Sequence, residues 1–174
     1  MDFVLHSDLN CFYASVEMVE DPALREVPLA VCGSVEDRHG IVLTKNYLAK
    51  PYGVQTGEAV WQAKQKCPQL VTVPPRYELY LRYSNLVRSI YARWTDRIEP
   101  FGMDECWLHL SACRNIDEAA DIADGIRRTV REETGLTASI GVSFSKIFTS
   151  VCWLLCFIIG VTCLCVMIMS FIQN

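Results

Sequence analysis

The sequence predicts an α/β (α+β) chain of the ferredoxin-like, split βαβ kind, with a segment inserted after its first helix and an apolar helix at its C-terminus. Three observations predict it. Short apolar runs with strand character stand at 3–7, at 137–143, and in a run that leaves a turn at Gly102 and continues through about Leu110. Two long amphipathic helices are read at 77–94 and 115–133. With the helix after the first strand, these give the order strand, helix, strand, strand, helix, strand. At 174 residues one domain is expected; the hydrophobic fraction of 51% is raised by a single C-terminal segment.

Each element has its own warrant. Phe3 to Ser7 is an apolar strand, and a short helix begins just after Asp8. Pro28 to Cys32 is a second short strand, Gly33 to His39 a polar loop, and Gly40 to Thr44 a strand that closes a hairpin. Tyr47 and Lys50, three residues apart on the helical turn that follows, share a face. Glu58 to Lys66 reads as a helix ended by Pro68, and Leu70 to Val73 as a strand stopped by Pro74 and Pro75. From Tyr77 to Trp94 the residues Leu79, Tyr83, Leu86, Val87, Ile90, Tyr91 and Trp94 recur at helical spacing, a stripe read as core packing rather than as a base-stacking platform. Asn115 caps the next helix with Glu118 three residues on, as in a capping box, and Gly135 ends it. Thr137 to Ser143 is the last strand.

The chemistry-bearing residues are acids. Asp104 and Glu105 sit together in the apolar, aromatic run Phe101 to Leu108. Strand side chains alternate faces, so the two cannot both enter a core. A solvated pair on a hairpin is the bland reading. Asp8 stands at the carboxyl end of a buried strand, where α/β proteins place ligands. From neighbouring strands Asp8 and Asp104 can face each other, and three converging carboxylates suit Mg²⁺ shared with phosphates. Net charge is −4 and the sequence pI is near 5.4, unlike a free-standing nucleic-acid binder, which is basic. The nine cysteines include no CxxC pair and no zinc spacing; Cys11, Cys32, Cys67, Cys106 and Cys113 are scattered and Cys152, Cys156, Cys163 and Cys165 lie in the tail, all read as small buried apolar residues in a reducing compartment. His6, His39 and His109 make no ligand spacing, and His109 is read as a surface residue. No signal peptide, Ser-His-Asp set or glycine-rich phosphate loop is expected.

The blocks Asp8-Leu9-Asn10-Cys11-Phe12-Tyr13-Ala14-Ser15-Val16-Glu17, Thr44-Lys45-Asn46-Tyr47-Leu48-Ala49-Lys50, Gly102-Met103-Asp104-Glu105-Cys106-Trp107-Leu108 and Ser139-Ile140-Gly141-Val142-Ser143 resemble the N-terminal part of Y-family (translesion) DNA polymerases of the DNA polymerase IV and UmuC type. They fall in the family's order and spacing, and the resemblance covers roughly residues 1–148. It implies a polymerase palm with a small fingers region inserted at about 28–73. It implies Mg²⁺ held by Asp8, Asp104 and Glu105, with the backbone carbonyl of Leu9. It makes Tyr13 the ring that excludes a ribose 2′-hydroxyl, and Tyr47 and Lys50 contacts to the incoming triphosphate. The usual Arg is Lys here, which keeps the charge and loses the fork. Asn10 replaces an acid that many relatives carry, as in UmuC-like members. The implied partners are a DNA primer-template and deoxynucleoside triphosphates, and the implied location is the cytoplasm.

After Phe148 the pattern breaks. Of the family's Ser-x-Asn-Lys-x-Phe-Ala-Lys, only Lys146 and Phe148 clearly fit, and a further lysine that binds triphosphate has no counterpart. Nothing charged follows Lys146, and residues 151–172 are long and apolar enough to predict a transmembrane helix in a tail spanning 149–174. The break is expected to mark a shifted reading frame or truncated gene rather than an evolved anchor. The function expected is therefore that of a fragment of a translesion DNA polymerase, inactive by itself for want of thumb and little finger. The alternatives are a non-catalytic membrane-anchored protein built on the palm, and a palm-fold nucleotide cyclase, since the fold proves no function.

Overall fold

Phe3–Leu9 (β1) is buried along almost its whole length because it is the middle strand of five. In this computed structural model, which describes residues 2–33, 40–111, 113–146, 149 and 165–166, β1 is followed by Phe12–Glu20 (α1), Leu29–Cys32 (β2), Val42–Lys45 (β3), Val60–Lys66 (α2), Val71–Val73 (β4), Tyr77–Tyr91 (α3), Ile98–Phe101 (β5), Glu105–Leu110 (β6), Ile116–Thr134 (α4), Ala138–Ser143 (β7) and Cys165–Val166 (β8). The larger sheet runs β5-β6-β1-β7-β8 and the smaller β3-β2-β4. In the larger, β1 is antiparallel to both β6 and β7, and β5 closes a hairpin with β6. That is the expected split βαβ order with one more strand at the β7 edge.

The chain divides into two compact units, Met1–Asn10 with Ser84–Asn174, and Cys11–Tyr83. In the first, α4 packs on β1 and β7. Its stripe of Ala119, Ala123, Ile126 and Val130 is buried, as are Leu5, Leu108, Ile140 and Val142 of the sheet. Asn115 caps α4 as expected, its Oδ1 accepting the Glu118 N–H at 2.9 Å. The reciprocal half of the box is shifted by one residue: the Glu118 carboxylate accepts from the Arg114 N–H at 2.7 Å. Gly135 ends α4 in the left-handed conformation, φ 73°. Behind the sheet Ser7 Oγ and Tyr91 Oη, both buried, share a 2.8 Å hydrogen bond. In the second unit the core gathers Ala30, Cys32, Val42, Val54, Ala63 and Leu70. The cysteines Cys32, Cys67, Cys106 and Cys113 are buried, as expected of small apolar residues.

Three expectations are corrected. The long aromatic helix stops at Tyr91 rather than Trp94, and Leu86 and Trp94 are exposed, so the core stripe is narrower than the periodicity suggests. Ahead of the Gly102 turn, where no strand is expected from the sequence, Ile98–Phe101 forms β5. The transmembrane helix expected at 151–172 is the third. The two residues of that span that lie among those described, Cys165 and Val166, are extended and pair parallel with Gly141 and Val142 of β7. An apolar run satisfies its backbone as readily on an open strand edge as in a helix, and hydropathy does not distinguish them. Among the described residues no helix is long and apolar enough to cross a membrane. The rest of the span lies outside them.

Tyr91→Phe is expected to destabilise the chain by about 1–3 kcal/mol, because it leaves the buried Ser7 hydroxyl without its partner. Urea unfolding checks it, and Ser7→Ala combined with Tyr91→Phe should cost less than the sum of the two. An unchanged midpoint for Tyr91→Phe contradicts this role.

Candidate active site

The acids are placed by strand register. Asp8 is the direct cross-strand partner of Glu105, so their side chains leave the same face at the same end of the sheet. One residue on, the Leu9 N–H donates to the Asp104 carbonyl at 3.0 Å, which extends the pairing up to the turn. That turn needs Gly102, whose φ of 85° is open to glycine and strained for a side chain. A Cβ there would also stand 3.6 Å from Asp104 Oδ1. On the other side of β1, Asp8 faces Ser139 and Leu9 faces Ala138. Asn10 ties the same end to β7, its N–H donating to the Thr137 carbonyl at 2.9 Å and its Oδ1 accepting from Ser139 Oγ at 2.8 Å. The Asn that stands where an acid is common thus has structural bonds of its own.

Burial weighs on the charged form of the two turn acids. Burial pushes the Asp104 carboxyl above its usual range, and the neighbouring Glu105 charge adds to the rise. Burial likewise raises Glu105. The donor set is carboxylate oxygen, which fits a hard cation such as Mg²⁺ and suits a soft metal poorly. As the side chains stand, no group of three or more His, Cys, Asp or Glu among the described residues is close enough to hold a metal ion. Glu105 leans along the strand instead, with Oε2 3.1 Å from His6 Nε2. His6 is 3% exposed and stacks on Trp107 with centroids 4.3 Å apart. Burial pulls its imidazole below the ordinary value. His6, which makes no ligand spacing in the sequence, carries its signal in strand alternation, since a residue two before Asp8 shares Asp8's face.

In the second unit, Tyr13 stacks on the buried ring of Tyr80 at 4.3 Å and meets Tyr77 edge-on at 6.0 Å. Tyr80 is fixed in turn: its hydroxyl donates to Glu17 Oε1 at 2.6 Å, and Arg76 pairs with the same carboxylate. Glu17 and Tyr80 were not singled out from sequence, because a buried charge on an otherwise apolar stripe reads as a surface position until its partner is known. Tyr47 and Lys50 do share a face, the Lys50 ammonium lying 4.4 Å from the Tyr47 ring centroid. The turn that carries them is held by buried Asn46, whose Oδ1 accepts from the N–H groups of Leu29 and Ala49 and whose Nδ2 donates to the Val27 carbonyl. Lys45, just before it, has its ammonium pushed below the ordinary value, chiefly by burial. In the first unit Lys146 pairs with Glu99 at 2.6 Å.

A model of the impB/mucB/samB family matches residues 7–152, most of the chain. The chain belongs to this Y-family of DNA polymerases. The family relationship is dense in sequence. DNA polymerase IV of Acetivibrio thermocellus is 54% identical over 146 residues, 83% of this chain and 37% of that protein. DNA polymerase IV of Pectobacterium atrosepticum is 41% identical over 85% of this chain and 42% of its own length. Among solved structures, the insertion ternary complex of Dbh DNA polymerase has a TM-score of 0.82 at 30% identity, covering 87% of this chain and 45% of that one. DinB from Sulfolobus solfataricus has a TM-score of 0.82 at 29% identity, with the same coverage. The chain thus spans about two fifths of the length of these Y-family relatives.

The raised carboxyls give this Y-family chain a site that costs stability. In EDTA, Asp104→Asn is expected to stabilise it by up to about 1 kcal/mol, a modest figure because solvent screens a half-buried charge. The penalty is complete while the acids are ionised and lifts as pH falls through their raised values, so the gain should shrink on acidification. Urea unfolding at neutral and acid pH measures both; a loss of stability at neutral pH contradicts a burial penalty on the Asp104 charge.

Proposed function

We propose that the chain supplies the palm and fingers of a translesion DNA polymerase, extending a DNA primer with deoxynucleoside triphosphates in a Mg²⁺-dependent reaction. The observation that carries this reading is the register that sets Asp8 opposite Glu105 with Asp104 bonded beside Leu9. Asp8, Asp104 and Glu105, with the Leu9 carbonyl, are the groups that would hold the ions. When bound, Mg²⁺ supplies a more acidic primer 3′-hydroxyl and charge for the leaving pyrophosphate. The chain's own residues do the positioning. Tyr13, backed by the Tyr80 ring, presents a flat wall to the sugar, which discriminates against ribose by clash rather than by attraction. Tyr47 and Lys50, with Lys45 nearby in sequence, offer a ring and cations to the triphosphate, Lys50 acting as a point charge where a guanidinium would grip with two bonds. Family membership favours this reading over a nucleotide cyclase built on the same fold. The ternary complexes of Dbh DNA polymerase, one of them with its substrates partially disordered, support a DNA primer-template and a nucleotide as partners.

The test is a chimera in which residues 1–146 replace the matching part of the Acetivibrio thermocellus relative. It is expected to extend a primer with Mg²⁺ and all four deoxynucleotides. Asp8→Asn in the chimera should lower turnover by about 10³-fold or more, roughly 4 kcal/mol of barrier. Extension unaffected by Asp8→Asn contradicts the reading. In the same chimera Tyr13→Ala should raise ribonucleotide incorporation relative to deoxynucleotide by about tenfold or more, the loss of a steric exclusion; an unchanged preference removes the gate from Tyr13.

A further inference from the structure

His6 occupies a position that the cation-binding role of the acids does not require. It lies on β1 two residues before Asp8, opposite Trp107 on β6, and therefore on the face shared by Asp8 and Glu105. Its ring is almost fully buried and stacked on Trp107 at an interplanar angle of 23°, so it cannot swing aside. A carboxylate only accepts hydrogen bonds, so the 3.1 Å contact is His6 Nε2–H donating to Glu105 Oε2. Glu105 has two neighbours within reach across the strands, Asp8 directly opposite and His6 on the diagonal. The like charge of Asp104 repels it, and His6 offers a donor at 3.1 Å. As the side chains stand, the three acids do not gather.

We propose that His6 is a positioning residue that parks the Glu105 carboxylate along the strand, turned from Asp8, so that uptake of a divalent cation requires Glu105 to leave it. The proposal rests on the reading of Asp8, Asp104 and Glu105 as a cation centre. It differs from the usual outer-layer support, in which a hydrogen bond to a ligating carboxylate orients it for the ion and strengthens binding. A parked carboxylate stabilises only the arrangement in which Glu105 is turned to His6. By linkage it weakens cation affinity, and removing the donor tightens binding.

The experiment titrates Mn²⁺ into the 174-residue chain and follows the free-ion electron paramagnetic resonance signal, for the native sequence, His6→Phe, His6→Gln and Asp8→Asn. Phe keeps a ring on Trp107 and has no donor; Gln restores an N–H. His6→Phe is expected to lower the Mn²⁺ dissociation constant about tenfold, the scale of one hydrogen bond to a charged group, with His6→Gln returning to within about twofold of the native value. Unchanged or weaker binding in His6→Phe overturns the parking role. A second measurement needs no variant: the His6 Nε2–H proton resonance of the native chain should shift or broaden on adding Mg²⁺, and a resonance that stays put at saturating Mg²⁺ overturns the proposal equally. The cation centre itself is judged separately by Asp8→Asn. If that variant binds Mn²⁺ like the native chain, the centre lies elsewhere and the parking proposal falls with it. If the native chain and His6→Phe both take up no Mn²⁺, both ideas are overturned.

Discussion

The antiparallel pairing of β1 with β6 sets Phe3 against Leu110 at one end and Asp8 against Glu105 at the other, and the rest of the site follows from that ladder. Strand side chains alternate with a period of two, so slipping the pair by one residue would turn Asp8 into the layer where Ser7 meets Tyr91, and would expose Leu5 and Leu9. The register is secured from three directions. Apolar residues of β1 are buried, the Ser7–Tyr91 hydrogen bond fixes the back of the strand, and Asn10 bonds its far end to Thr137 and Ser139 of the β7 side. These constraints are structural, yet their joint effect is to bring one acid from β1 and two from the Gly102 turn to a single edge.

Two carboxylates illustrate how differently the chain treats buried charge. Glu17 is 4% exposed and fully answered: Arg76 forks onto it and the Tyr80 hydroxyl donates to it. At about 4 Å and an effective dielectric near 20, such a pairing is worth about 4 kcal/mol of Coulomb energy, enough to offset much of the desolvation. Asp104 and Glu105 are treated otherwise: burial raises both carboxyls, and Glu105 meets the His6 ring at 3.1 Å. Glu17 therefore reads as architecture holding the aromatic cluster around Tyr13, and the raised acidic pair as the candidate site.

Much of the fold was legible in the sequence because its signals are local. The Asn115 cap, the Ala and Ile stripe of α4 and the Gly135 stop each depend on neighbours within a few residues. The strand ends bearing Asp8 and Asp104 were legible for the same reason. What was not legible depends on long-range pairing. His6 lacks metal-ligand spacing and gains meaning only from Glu105, ninety-nine residues away. Tyr80 falls beside the apolar stripe of α3 and is buried because Glu17 and Tyr13 meet it there. Trp94 extended that stripe by periodicity, yet the helix ends at Tyr91 and the Trp94 ring lies instead over Gly125 of α4, where a Cβ would come within 2.7 Å of it. The apolar tail was read by hydropathy as a helix, a measure that cannot see that the edge of β7 was open to Cys165 and Val166.

The proposed divalent-cation centre of Asp8, Asp104 and Glu105 depends on the β1–β6 register. Anomalous diffraction at the manganese edge, from crystals of the chain grown with Mn²⁺, tests it most directly. The expected result is an anomalous peak at the end of the larger sheet where Asp8 faces Glu105, with carboxylate oxygens of Asp8 and Asp104 at coordination distance and Glu105 turned from His6 towards the ion. Full occupancy of Mn²⁺ at other residues, with none between these acids, would contradict it.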